Sequence, residues 1–562
     1  MRGPWWTEIP GRLDVELESL RDVCSEVTIY RQDQRTGQLG LKFVLALGGE
    51  HYQLRAEFPP TYPFTRPVVY AEDNQFNWHQ NPYGKNLCLL GRTAENWVLT
   101  QTLAGHLSEQ MPKLIASNWT ADPDTAADLE ELQAEPFTAF LNYQRNSSML
   151  LLQRVPRTDR DKGGFAATCV PFDGVFRGAV VGLADDLGRQ ILGLPNEATT
   201  AMEFTKQIKG NWFRMGSRPR TGKAAVFLEE IAADHPELRK RTWTRHRDHR
   251  FEIVGALVPE EEAWRTPGEA MVFICLQEQK TPSGKKFTVA EFIRTYRSDQ
   301  ATLSARVPET SGLETRRILL AGAGSIGSHC ALEFARNGVG RINLVDGDVV
   351  EAGNSVRWAL GLASAGLPKV TALQRHIAAN HPFTQAAAWP VDVGSEAYTL
   401  DVEEQILEKV DMIFDATAER GISYLLSERA RRVGVPYIHI SGTQGNWGGV
   451  VLALRAESSA PCWVCVARHW TDGTLPRPSS GPESPVQPGG CASPTFTGAY
   501  MDSSEVALMG VRLATSLLAS GYPPYDWDYG VVNLRNPDGG HIAPAWSTRI
   551  LTRHPDCGNH PG

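Results

Sequence analysis

The segment RILLAGAGSIGSHCALEFARNGVGRINLVDGDVVEAGNSVR, Arg317 to Arg357, limits the choice of fold more than any other part of the chain. Ile318, Leu319 and Leu320 form a short apolar run ending at Gly322, Gly324 and Gly327. Ser328 to Asn337 has helical spacing, and Ile342 to Val345 is a second apolar run that stops at Asp346. Short apolar runs closed by glycine or aspartate read as buried strands, and the spacing between them as a helix. The segment therefore predicts a strand, a glycine turn, a helix and a strand ending in a carboxylate, the opening of a doubly wound, Rossmann-like sheet.

Glycines at such a turn let a phosphate approach the backbone, the helix N-terminus supplies N–H donors, and the carboxylate can accept from a ribose hydroxyl. The glycine pattern alone fits a nicotinamide or flavin dinucleotide as well as ATP. The residues that follow separate the two. Asp346 and Asp348 lead to Asn354 and Arg357, then to Lys369 in GLPKVTAL and Asp415 at the end of MIFDATA. A triphosphate needs cations around it and a carboxylate for Mg²⁺, whereas a dinucleotide needs neither. The reading is ATP.

On these residues the segment resembles the adenylation domain shared by ubiquitin-activating enzymes and the bacterial sulfur-carrier adenylyltransferases of the ThiF and MoeB type. The resemblance implies that Gly322, Gly324, Gly327 and Asp348 belong to the ATP site and that Asp346 binds ribose. It further implies that Asn354, Arg357 and Lys369 handle the phosphates, Arg357 catalytically, and that Asp415 carries Mg²⁺. The chain departs from the family pattern at Trp358, where glutamine is common, and at Ala418, where a DATD motif has its second aspartate.

At 562 residues the chain is long enough for three or four domains of ~150 residues. A net charge of −8 argues against a general nucleic-acid binder, which needs a basic surface. The N-terminus lacks an apolar signal core and no stretch reaches membrane-spanning length, so a cytoplasmic protein is expected. Nine irregularly spaced cysteines argue against a disulfide framework and for metal or catalytic uses.

Residues 1–155 read as a first, α+β domain. A helix from Leu13 to Cys24 is followed by strands alternating at Leu41, Phe43 and Leu45 and at Tyr52, Leu54 and Ala56. The prolines Pro59, Pro60, Pro63 and Pro67 then require an edge strand and a rigid loop, and Cys88 follows in NLCLL. A lone cysteine in apolar surroundings is more often a buried structural thiol. Four ordered features, however, resemble a ubiquitin-conjugating enzyme: the segment Phe58 to Pro67, the triplet His79-Gln80-Asn81, Cys88-Leu89 and Trp97. The resemblance implies a thioester on Cys88 and Asn81 as oxyanion donor, with His79 organising the loop. Gln80 stands where the family has proline, and Asn81 is seven residues from Cys88, one fewer than is common.

Residues 156–305 read as a small mixed domain, a linker or an inactive adenylation-like domain, entered through RVPRTDRDKGGFAATC. Strands are predicted at Gly178 to Leu183, Phe251 to Leu257 and Ala270 to Leu276, and a helix at Ala224 to Asp234. The basic run Arg239 to Arg250, with Trp243 inside it, could serve an acidic partner; the preferred reading is a solvated face.

Residues 306–562 read as the adenylation domain. Beyond Asp415 a helix is predicted from Leu425 to Val433, a strand from Val435 to Ile440, and a late helix from Ser503 to Ala519. Cys462 and Cys465 in PCWVC are half of a tetrahedral zinc site. Sulfur-carrier adenylyltransferases often carry a second CxxC near their C-terminus, and the resemblance implies that Cys557 and His560 in RHPDCGNHPG complete a closed structural site, with His554 as substitute; the plain alternative is free thiols. Residues 471–490 are rich in Pro, Gly and Ser and predict a long loop, with Cys491 at its end. The family resemblance makes Cys491 the acyl acceptor; a packing or unused thiol is the alternative. An arginine from the start of the partner adenylation domain is usual in the family, and Arg294, Arg297 and Arg306 are its candidates.

Conjugating domain first and activating domain last, the order resembles the fusion enzyme of bacterial anti-phage CBASS operons. That resemblance implies adenylation of the C-terminus of a cGAS/DncV-like nucleotidyltransferase, capture on Cys491, transfer to Cys88 and ligation to an amine on a protein or small molecule. It also implies a homodimer, with no nucleic-acid or membrane partner. Two other readings remain: a sulfur-carrier adenylyltransferase, for which Cys88 is dispensable, and a dehydrogenase-like or inactive scaffold, which leaves Arg357, Lys369 and Asp415 without a role.

Overall fold

The two apolar runs around the glycine turn lie side by side in the middle of an eight-stranded sheet. Its strand order is Gln385–Trp389, Arg341–Val345, Arg317–Ala321, Met412–Asp415, Tyr437–Gly442, Gly448–Leu454, Tyr529–Arg535 and His541–Arg549. The first five strands are parallel and the last three antiparallel. In this computed structural model the described residues are 3–73, 75–89, 97–128, 134–193, 204–457, 459–482 and 497–559.

The described chain forms two compact units. The first is built mainly from Met1–Leu151, Val155–Gly193 and Lys206–Tyr296, and the second from Arg297 onward. In the second, helices Ser325–Arg336, Lys369–Asn380 and Tyr500–Leu518 share one apolar core with one face of the sheet. Helices Arg420–Val433 and Trp463–Thr471 share the core on the other face. Both faces are covered, which is why Ile318, Leu319 and Leu320 are all buried with no polar alternation. Arg317–Ala321 pairs in parallel with both Arg341–Val345 and Met412–Asp415, so the strand order reverses there and a crevice opens beyond the strands' carboxyl ends.

The first unit holds two sheets. One is a four-stranded antiparallel meander, Cys24–Asp33, Gln38–Leu47, Glu50–Phe58 and Val68–Tyr70. Its alternating residues Leu39, Leu41, Phe43, Tyr52, Leu54 and Ala56 are buried against helices Arg12–Val23 and Leu103–Trp119. The buried Glu16 joins the two helices to the proline-rich loop: it accepts from Leu103 N at 2.9 Å and from the Tyr62 hydroxyl, and pairs with Arg12 at 2.8 Å.

The second sheet is mostly antiparallel and has ten strands. It is dominated by a hairpin of two fifteen-residue strands, His249–Ala263 and Thr266–Lys280. Helix Ala224–Asp234 covers one face, as its sequence predicts. The run from Arg239 to Arg250 forms the short strand Thr244–His246 and the start of the hairpin, where Arg250 stacks on Trp243 at 4.9 Å and pairs with Glu278 at 3.0 Å. Among the described residues no helix is long and apolar enough to cross a membrane.

Candidate active site

The crevice is a cavity of about 240 Å³ lined by Gly324, Ser325, Ile326, Asn354, Arg357, Trp358, Lys369, Ala416, Thr417, Ala418 and Gly442. Its floor depends on glycine in two places. Gly322 has φ +86°, and a Cβ on Gly327 would stand 1.9 Å from Gly322 O, so the helix starting at Ser325 meets the strand more closely than any side chain allows. The helix thereby aims its N-terminus into the cavity.

Carboxylates and cations are arranged around this floor. Asp346 closes the second strand and accepts from Ala323 N at 2.7 Å and from Asp348 N at 2.9 Å. Lys369 Nζ lies 2.6 Å from Asp348 and 4.0 Å from Asp346. Burial raises the Asp346 pKa, and the Lys369 charge opposes that rise. Burial lowers the Arg357 pKa. Trp358, where a glutamine is common, is buried and donates to Ala323 O at 2.7 Å, tying the Arg357 segment to the glycine turn. Two cations and a helix N-terminus on one wall suit a polyphosphate.

Asp415 sits elsewhere. It is wholly buried and is not part of the cavity lining, and both its oxygens are engaged. Oδ1 accepts from Thr417 N at 2.9 Å and Thr417 Oγ1 at 2.7 Å. Oδ2 faces Ser423 Oγ at 2.6 Å, the Tyr437 hydroxyl at 2.6 Å and His439 Nδ1 at 3.1 Å. Burial pushes the carboxyl pKa up, but His439, Ser423 and Tyr437 override burial and hold it down at about 2. A carboxylate with that many donors has no position left for Mg²⁺, and Ala418 offers none, so the donor set at Asp415 does not fit the metal expected there. Sequence reasoning missed Tyr437 and His439, although two polar side chains in the buried strand YIHISG need a polar partner.

The sequence features around Cys88 converge as well. The thiol is exposed, while Cys88 N donates to His79 O at 2.7 Å and Leu87 bridges to Gln80. Asn81 accepts through its side chain from Tyr83 N at 2.9 Å and Gly84 N at 2.8 Å, which makes it the cap of its own turn. Trp97 donates to Pro63 O at 2.7 Å and packs beside Tyr62 and His106. His79 is buried and paired with Glu135 at 2.9 Å.

Three thiols meet in the second unit. Cys462 Sγ lies 3.9 Å from Cys465 and 3.6 Å from Cys557. A tetrahedral site with Zn–S bonds of about 2.3 Å has an edge of about 3.8 Å, so the donors fit zinc. Burial pushes the Cys462 thiol up to about 11, while hydrogen bonds from neighbouring backbone and thiol groups bring Cys465 below its usual value despite burial, which makes Cys465 the readier thiolate. The expected fourth ligand, His560, lies outside the described residues. His554 turns its ring to Asp472, 2.8 Å away, and meets the His469 ring edge-on. Cys491 also lies outside the described residues. Of the candidate arginines, Arg294 stacks on Tyr143 at 4.6 Å and Arg306 donates to Thr302 O at 3.1 Å, while Arg297 ends the short strand Thr295–Arg297.

Residues 296–498 match the ThiF family, so the strand-order reversal and the cationic cavity belong to a ThiF-family adenylation domain at the C-terminal end of the chain. The whole chain belongs to the family of the protein y4qC of Sinorhizobium fredii, with which it is 30% identical over 97% of its own length and 95% of that protein. It is 28% identical to y4oA of the same organism over 98% and 97%. The adenylyltransferase and sulfurtransferase UBA4 of Yarrowia lipolytica is 23% identical over 44% of this chain and 55% of its own. Escherichia coli MccB crystallised with ATP superposes on 45% of this chain and 69% of its own, with 14% identity and a TM-score of 0.34.

Proposed function

We propose that this chain is an ATP-dependent activating and conjugating enzyme that carries an acyl group on two cysteines in turn. Support comes above all from one pairing: a ThiF-family cavity lined by Arg357 and Lys369, and an exposed Cys88 beside the buried His79 in a unit built of a four-stranded meander and two helices.

The chemistry proceeds in four balanced steps. A protein's C-terminal carboxylate attacks the α-phosphorus of ATP, pyrophosphate leaves, and an acyl adenylate forms. Arg357 and Lys369 meet the charge that develops on the phosphate oxygens, and Asp346 orients the ribose. The Cys491 thiolate then attacks the acyl carbon and AMP departs. Cys88 takes the acyl group by thioester exchange, freeing Cys491. Finally an amine attacks the Cys88 thioester, giving an amide and the free thiol, with Asn81 near the developing oxyanion. The acyl donor is the tail of a cGAS/DncV-like nucleotidyltransferase, the setting anti-phage CBASS immunity, and the working form a cytoplasmic homodimer. Zinc held by Cys462, Cys465, Cys557 and His560 is structural and takes no part in these steps.

The matches to adenylyltransferase and sulfurtransferase UBA4 support a second reading, adenylation of a sulfur carrier. One experiment separates the two. The enzyme is incubated with ATP, Mg²⁺ and the nucleotidyltransferase, and thiol-sensitive adducts are located by mass spectrometry. The proposal expects an adduct on Cys491 and then on Cys88, and no conjugate from Cys88→Ala. Normal conjugate formation by Cys88→Ala would sink it.

A further inference from the structure

Within the first unit, the loop that carries Cys88 is gripped by residues far away in sequence. Glu135 holds His79 twice, through His79 N at 2.7 Å and His79 Nδ1 at 2.9 Å. Glu135 N in turn donates to Glu261 at 2.9 Å. Glu261 lies near the tip of the long hairpin and also accepts from the Trp78 indole at 3.2 Å and from Arg265 N. Arg265 then stacks its guanidinium on Trp78 at 4.2 Å and donates to Ser117 O at 2.7 Å. From His79, one backbone bond of 2.7 Å reaches Cys88.

Backbone conformation singles out both ends of this chain of contacts. His79 has φ +63° and Arg265 φ +50°. Neither residue is glycine, and a left-handed non-glycine costs of order 1–3 kcal/mol and persists only where its surroundings over-determine it. A two-residue hairpin turn would ordinarily take Asn-Gly or Asp-Gly, and here it is Trp264-Arg265. Stability of the hairpin alone does not explain that choice, because glycine at position 265 would relieve the strain. The arginine does explain it, since its side chain reaches Trp78 and Ser117.

We infer that Glu135, Glu261 and Arg265 are positioning residues for the Cys88 site: the hairpin of the second sheet is a clamp that fixes the His79 turn and, through it, the Cys88 backbone. The clamp gives residues 156–305 a role that their sequence did not show. As a role in catalysis it rests on the reading of Cys88 as acyl carrier; as a contact it does not.

The test uses the full chain with Glu261→Ala, Glu261→Gln and Arg265→Ala. Glutamine keeps an acceptor for Trp78 and Glu135, whereas alanine keeps none. Transfer onto Cys88 is expected to slow between about tenfold and a hundredfold in Glu261→Ala and Arg265→Ala. KM for the acyl donor and ATP–pyrophosphate exchange should stay at wild-type values, and Glu261→Gln should recover most of the rate. Wild-type transfer by both Glu261→Ala and Arg265→Ala would overturn the catalytic role. Hydrogen exchange over residues 77–88 judges the clamp even if Cys88 is never loaded: protection lost in Glu261→Ala and kept in Glu261→Gln supports it, and unchanged protection in Glu261→Ala overturns it.

Discussion

The Tyr437 hydroxyl lies 2.6 Å from the Asp415 carboxylate, and both groups are buried. With His439 and Ser423 on the same oxygen, this cluster joins two neighbouring strands directly beneath the cavity wall formed by Ala416, Thr417 and Ala418. Asp415→Asn removes the charge while keeping the shape, and breaking a buried pair costs about 3–5 kcal/mol. For a unit of this size, the second unit's melting temperature is expected to fall by on the order of 10 °C.

The same cluster sets an acid limit. The folded-state pKa of Asp415 is depressed from 3.8 to about 2, so its stabilisation is complete above pH 4 and is lost as pH falls from about 4 towards 2. The depression corresponds to about 2 kcal/mol. The gap between the melting curves of wild type and Asp415→Asn should therefore be widest at neutral pH and narrow by about 2 kcal/mol as pH falls towards 2. A constant difference down to pH 2 would rule out this origin of the acid sensitivity.

The thiol cluster predicts one zinc per chain. Three sulfurs at edge lengths of 3.6 and 3.9 Å in an apolar setting repel one another as thiolates unless a cation lies between them. Metal analysis of the purified protein should find stoichiometric zinc, and Cys462→Ser should lose it. Chelation should lower the melting temperature of wild type and leave Cys462→Ser unmoved, because the stabilisation comes from binding to the folded state. A wild type with no zinc and full stability would show the cysteines to be free thiols.

The adenylation half was the more legible in sequence because its signals are local. Gly322, Gly324 and Gly327 lie close together in sequence, and the helix predicted from Ser328 to Asn337 forms at Ser325–Arg336, displaced because Gly324 is its N-cap and Gly327 lies in its first turn. Two of the partners of Asp415, Tyr437 and His439, come from a strand 22 and 24 residues further on, and only the presence of those two polar side chains in a buried strand hints at them. Glu135 and Glu261 gave no signal at all, since surface carboxylates are common and their contacts join residues 56 and 126 positions apart. The second sheet has more and longer strands than its sequence predicts, for a related reason. The apolar middles of His249–Ala263 and Thr266–Lys280 are legible as the predicted strands Phe251 to Leu257 and Ala270 to Leu276, but the polar ends that extend beyond the core carry no apolar signal.

Ala418 offers the last test, and a direct one for metal use. It stands on the cavity wall with φ +58°, a left-handed conformation that costs alanine more than aspartate, whose short polar side chain tolerates it. Asp415 is saturated, and Asp346 and Asp348 stand beside Lys369 and not among the residues lining the cavity, so the wall at Ala416, Thr417 and Ala418 offers no carboxylate to a metal. Restoring a carboxylate with Ala418→Asp should supply the missing ligand without straining the backbone. The Mg²⁺ concentration for half-maximal ATP–pyrophosphate exchange should fall about tenfold, equivalent to ~1.4 kcal/mol, and the melting temperature should hold or rise. If the magnesium dependence does not move, the wall beneath the phosphates already holds a metal ligand, and the reading of Asp415 as a structural carboxylate is wrong.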